Sequence, residues 1–182
     1  MDWRKQLDRK LGMDDIHELC FLTQGADNDR RKEELYEWIS DADTRIASNA
    51  LWVFTHFALA DNQWLYAKQH DLIDRVLAET NTTKRRLLLV LLHRQPFGPT
   101  HFRTDFLDFC LRKMTSCTES YGVRALCMKL AYEQCRNYPE LMEELKSGLE
   151  LLADEPLSPG LVSARRQVWK RITTNQQKNE RT

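Results

Sequence analysis

Glycine and proline are scarce, 6 and 5 in 182 residues, and the five cysteines contain no Cys-x-x-Cys pair. So few chain breakers exclude collagen-like and low-complexity classes. An odd cysteine count without paired spacing excludes a disulfide framework and a zinc knuckle. No stretch approaches the ~20 apolar residues that a membrane span needs. The opening "MDWRKQLDRKLGMDDIHELC" has neither the apolar run nor the small-residue cleavage site of a secretory signal, so the cytoplasm is the expected compartment. Neither Gly-x-Ser-x-Gly nor a Gly-rich phosphate loop occurs, which removes two common local signatures of catalysis. The histidines 17, 56, 70, 93 and 101 include no pair spaced i, i+4 as in a helical zinc site. No metal and no cofactor is expected.

Apolar side chains recur at three and four residues in nearly every longer segment, and alternation over strand length is missing. The fold class is therefore all-α. A chain of this length reads as one domain, able to bury roughly 70% of its unfolded surface. Asp43 or Thr44, Asp61, Asn81 or Thr82, and Ser158 are expected to cap helix starts, with Pro159 at a first helical position. "QPFGPTH" (95–101) and "DEPLSPG" (154–160) read as turns. Cys110, Cys127 and Cys135 stand among apolar helical positions and read as small buried hydrophobes. Trp38, Trp52, Trp64 and Trp169 read as packed between helices.

The net charge is zero but graded. Residues 1–80 carry 16 acidic and 10 basic side chains, a net of −6, and residues 81–182 carry 11 and 17, a net of +6. Nonspecific nucleic-acid binders concentrate a basic excess, so the overall balance counts against that class.

The helical segments repeat. "TRIASNALWVF" (44–54), "KRRLLLVLLHR" (84–94), "YGVRALCMKLA" (121–131) and "LVSARRQVWKR" (161–171) align Arg45, Arg86, Arg124 and Arg165 at steps of 41, 38 and 41. Between them, "NQWLYAKQHDLIDRVLAE" (62–79), "HFRTDFLDFCLRKM" (101–114) and "PELMEELKSGLELLA" (139–153) align Leu72, Leu111 and Leu149 at steps of 39 and 38. Two helix families on one period of about forty residues describe stacked helical hairpins, and the period fits HEAT or armadillo units. The expected contacts are Ile46, Ala50, Leu51 and Phe54 against Leu65, Leu72, Ile73 and Val76, then Leu88, Leu91 and Leu92 against Phe106, Leu107, Cys110 and Leu111.

"YGVRALCMKLA" resembles the first helix of a HEAT repeat, where a Val-Arg pair is followed by alanine and leucine at helical intervals. The resemblance implies an α-α superhelix, a HEAT/armadillo-like solenoid. On it, 29–172 form about three and a half hairpins of a single domain over 1–172, 1–25 a capping pair of short helices, and 173–182 a polar tail that frays. It also implies that the Arg at the helix start pairs with a nearby acid, Asp43 for Arg45 and Glu119 for Arg124. "RIASNALWVF" resembles small HEAT-like proteins of Bacteroidetes, some of which carry the label adenylosuccinate lyase. The Gly-Ser-Ser-rich loop of that lyase is absent, and no lyase chemistry is carried over.

In such arrays the second helix of each hairpin lines the concave surface. That makes Lys68, Asp71, Arg75, Arg103, Asp108 and Arg112 the candidate contact set, and a non-catalytic scaffold for a protein partner the expected function. The alternative is a nucleic-acid-binding protein related to HEAT-like DNA alkylation-repair glycosylases. Its residues would come from the segment 82–103, where Lys84, Arg85, Arg86, Arg94 and Arg103 stand with no acidic residue and could grip phosphates. No ordered motif of those enzymes is present, and no catalytic residue is carried over. No membrane partner is expected.

Overall fold

The computed structural model describes residues 2–179, with eleven α-helices and no strand among the described residues. The all-α expectation holds. No helix there is long and apolar enough to cross a membrane. The chain divides between Gln95 and Pro96 into two compact units.

The first unit holds α1 (Trp3–Leu7), α2 (Met13–Thr23), α3 (Asp29–Glu37), α4 (Thr44–Thr55), α5 (Leu59–Asn62), α6 (Gln69–Ala78) and α7 (Thr82–His93). Helix α4 is its centre and packs against α1, α2 and α7. Ile46, Ala47, Ala50, Leu51, Val53 and Phe54 recur at helical spacing on α4, and all are fully buried. Leu65, Leu72, Ile73 and Val76 are equally buried on the segment leading through α6. Each such Leu, Ile or Phe contributes about 1.5–3 kcal/mol. The segment 62–79 is not one helix: α5 runs into a 3-10 turn, Gln63–Lys68, before α6 begins. Asp61 accordingly does not cap it. Its carboxylate accepts from Gly25 N–H at 2.6 Å instead. Gly25 has φ +101°, a conformation that disfavours a side chain, and its carbonyl accepts from the buried Lys32 Nζ at 2.9 Å.

The second unit holds a 3-10 turn (Pro99–His101), α8 (Thr104–Thr115), α9 (Tyr121–Cys135), α10 (Pro139–Leu151) and α11 (Pro159–Asn179). Helix α9 packs against α8, α10 and α11. Its buried residues therefore run around the helix, from Val123 and Cys127 through Met128, Leu130 and Ala131 to Tyr132 and Cys135, as expected of a helix enclosed on several sides. Phe106, Leu107 and Cys110 of α8 are buried, whereas Leu111 is only half-buried.

Caps follow local chemistry. Asp43 accepts from Arg45 and Ile46 N–H, Asn81 from Lys84 N–H, Ser158 from Leu161 N–H, and Pro159 opens α11. Helix α11, Pro159–Asn179, takes in the first part of the expected tail. Thr173 and Thr174 hydroxyls donate back to carbonyls of Trp169 and Lys170, and the remaining residues of the expected tail lie outside the described ones. Trp38, Trp52, Trp64 and Trp169 are half-buried, not enclosed; the buried tryptophan is Trp3. Apolar periodicity marks the inward stripe of a helix but does not distinguish its centre from its edge.

Candidate functional site

The repeated arginines are built into the fold. Arg124 is 3% exposed. Its Nε donates to Met114 O at the end of α8 (3.0 Å) and its Nη2 pairs with Glu155 ahead of α11 (2.9 Å). The partner is thus Glu155 and not Glu119, whose carboxylate takes Lys113 at 2.9 Å. Arg45 likewise pairs with Asp8, because Asp43 is occupied as the cap of α4. Arg165 Nε donates to Leu149 O near the end of α10 at 2.7 Å. In α7 this position belongs to Arg85, whose guanidinium donates to Glu79 O just past α6 at 2.5 Å. Three helices of the first family therefore start by satisfying a terminal carbonyl of the preceding helix, where orphan acceptors and the negative dipole end attract a cation.

A second set closes the other ends. Arg94, just past α7, donates to the carbonyls of Thr55, the last residue of α4, and of Phe57 beyond it. Arg136, at the end of α9, donates to Phe97 O at 3.2 Å. Of the remaining cations of 82–103, Lys84 pairs with Glu79 (2.9 Å) and Arg103 with Asp105 (2.5 Å), carboxylates just outside that window. Arg86 is exposed. Lys84, Arg85, Arg94 and Arg103 are thus each engaged by a carboxylate or a main-chain carbonyl of the fold.

The structure does gather Lys68, Asp71 and Arg75, around a tyrosine that sequence reasoning missed. Tyr36, near the end of α3, donates from its hydroxyl to Asp71 Oδ2 at 2.6 Å. Arg75 Nε, one turn on, reaches the same oxygen at 2.7 Å, and its Nη1 donates to Ser40 Oγ. Lys68 Nζ stands 5.3 Å from the centroids of both Tyr36 and Trp64 and 3.0 Å from Glu33. Arg75 lies 5.6 Å from the Tyr36 ring. The rings of Tyr36 and Trp64 meet edge to face at 5.8 Å and both contact the buried Phe54. Cation–π contacts of this kind contribute about 0.5–2 kcal/mol.

Electrostatics hold Tyr36 and Asp71 each in one charge state. Burial, then the bond to the Asp71 carboxylate, pushes the Tyr36 phenol far above its usual range, so it stays a donor. Burial works to raise Asp71, but the donors Arg75 and Tyr36 outweigh it and hold the carboxyl below its ordinary value. A carboxylate held low by two donors is a poor general base.

Beside this cluster, α6, α7 and the 3-10 turn Trp38–Ser40 enclose a cleft of about 250 Å³. Ile39 and Leu88, both buried, form its apolar part; Ser40, Arg75, Glu79 and Lys84 form its polar part. Burial works against the charge of Glu79, but Asn81 N–H and Lys84 outweigh it and hold the carboxyl below its usual value. Asp108 and Arg112 of the second unit are exposed on α8, where Arg112 Nε turns back to Asp108 O at 3.4 Å.

A family model described as HEAT repeat domain matches residues 3–172. No curated protein and no solved structure matches the chain.

Proposed function

Because the chain belongs to the HEAT repeat domain family, a repeat scaffold, we propose that it is a non-catalytic binding protein. Its partner is another protein, engaged through the α3–α6–α7 surface of the first unit. The observation that carries this reading is the coupling of the Tyr36–Asp71–Arg75 network to the adjoining cleft through a single side chain, Arg75. An apolar recess with a fixed polar rim is the form in which a partner's anchoring side chain gains most. Ion pairs and ring contacts already hold the rim, so little side-chain freedom remains to be lost on binding. The rim is mixed in sign, with Lys68, Arg75 and Lys84 beside Glu33, Asp71 and Glu79. That suits a protein surface and steers its approach.

The nucleic-acid alternative rests on 82–103, and four of its five cations are engaged in pairs or carbonyl bonds within the fold. Affinity capture from extract of the source cells, with Arg75→Glu and Arg45→Glu as bait variants, tests the protein reading. A partner retained by wild type and Arg45→Glu but lost with Arg75→Glu supports it; identical capture by all three baits counts against it. DNA or RNA binding that collapses between about 50 and 200 mM salt and with Arg86→Glu would favour the alternative.

A further inference from the structure

Three cationic side chains converge where the end of α9 faces α11, in a cleft of about 280 Å³ lined by Tyr132, Arg136, Lys170, Arg171, Thr174 and Asn175. Among the described residues, the one carboxylate paired with this group is Glu133, at 3.1 Å from Arg136 and 2.6 Å from Arg171, so the three cations of the lining exceed it by two charges there. The Arg171 guanidinium is held 4.2 Å from the centroid of the buried Tyr132 ring, and Arg136 is held by Phe97 O at 3.2 Å. The neutral groups of the lining are engaged within it: Asn175 Nδ2 donates to the Tyr132 hydroxyl, which itself reaches Arg171 O at 3.5 Å, and the Thr174 hydroxyl donates to Lys170 O at 2.8 Å.

A second, smaller cavity of about 110 Å³ adjoins this one and shares Arg136 and Asn175 with it. Its walls are mainly apolar, from Cys135, Pro139, Met142 and Ile172, and its one acid, Glu143, is paired with Lys146 at 2.6 Å. Burial, then the nearby Glu144 carboxylate, pushes the Cys135 thiol up to about 12, so it adds no charge.

We infer that this double cleft is a ligand site for an organic dianion, a phosphate monoester with a short apolar body. The phosphate occupies the Arg136–Lys170–Arg171 compartment and the body enters the Met142–Ile172 compartment. The surplus of two positive charges matches a dianion, and guanidinium groups suit the forked geometry of phosphate oxygens.

Isothermal titration of the full chain at low salt tests this with phenyl phosphate, inorganic phosphate and benzyl alcohol. Phenyl phosphate is expected to bind saturably at one site, roughly tenfold tighter than inorganic phosphate, while benzyl alcohol gives no saturable heat. Lys170→Glu, an exposed position, is expected to weaken phenyl phosphate at least tenfold and to leave the melting temperature unchanged. No saturable heat with phenyl phosphate, or undiminished affinity in both Lys170→Glu and Arg171→Gln, overturns the site. Equal affinity for the two phosphates overturns the apolar compartment's role, and equal binding of benzyl alcohol overturns that of the cations.

Discussion

Arg124 donates from Nε to the carbonyl of Met114 across 3.0 Å while its Nη2 holds Glu155 at 2.9 Å, so one buried guanidinium joins the end of α8 to the approach of α11. Arg85 and Arg165 repeat the first half of that relationship on Glu79 O and Leu149 O. The repeat's arginine acts on the geometry of successive helices. Removing it leaves a carbonyl and a carboxylate without their donor, which is the costly way to break a polar contact. Arg124→Ala is expected to lose about 2–3 kcal/mol in urea unfolding. Arg45→Ala, which breaks an exposed pair with Asp8, is expected to lose no more than about 1 kcal/mol. Equal losses would contradict the distinction.

Gly148 of α10 faces the buried Met114, and a Cβ there would collide with the methionine's terminal methyl. Alanine favours a helix over glycine by about 1 kcal/mol, but displacing a core side chain costs about 1–3 kcal/mol. Gly148→Val is therefore expected to destabilise by about 2 kcal/mol. Combined with Met114→Ala, the loss is expected to be smaller than the two single losses added, a coupling that thermal melts of the cycle would measure.

Four of the five cysteines are buried and Cys117 is exposed. Burial, opposed weakly by Arg94, pushes Cys20 up to about 11, and burial, then the nearby Glu144 carboxylate, pushes Cys135 up to about 12. Thiolate is the reactive form. A disulfide-exchange reagent at pH 8 is thus expected to titrate one thiol promptly in the native protein and five after guanidinium unfolding. Two or more prompt thiols would show a looser packing around the buried cysteines than described.

Asp71 and Glu79 are held below their ordinary values of 3.8 and 4.5 against the cost of burial. The unfolded chain therefore binds more protons at these sites, and their contribution, complete near neutrality, is lost as pH falls through about 4.5 and towards the folded values. Melting temperature is expected to drop between pH 6 and pH 3, and less steeply in Asp71→Asn. Parallel pH curves for the two proteins would remove Asp71 from the network.

Much of the architecture was legible from residues alone because its signals are local. The caps Asp43 and Asn81 act within three residues of themselves, and the buried stripe of α4 repeats every turn. The arginines stood out at their period, but not their partners. Arg94 acts on the carbonyls of Thr55 and Phe57, and a main-chain acceptor leaves no mark on residue identity. Nearness in sequence misdirected Arg124 to Glu119, since Glu155 is reached only by the α10–α11 connection. Lys68, Asp71 and Arg75 were visible as charges on one helical segment. Tyr36, which joins two of them by hydrogen bond and ring contact, lies 35 residues before Asp71 and carries no motif.

The most direct measurement is photo-crosslinking from the cleft beside Arg75. A benzoyl-phenylalanine at Ser40, exposed at the cleft's rim, is expected to trap one protein in source-cell extract. The adduct is expected to vanish when Arg75→Glu is added and to be absent when the probe stands at exposed Arg45. Adducts of equal yield from both positions, or an adduct at Ser40 that survives Arg75→Glu, would contradict the assignment of the α3–α6–α7 surface as the binding face.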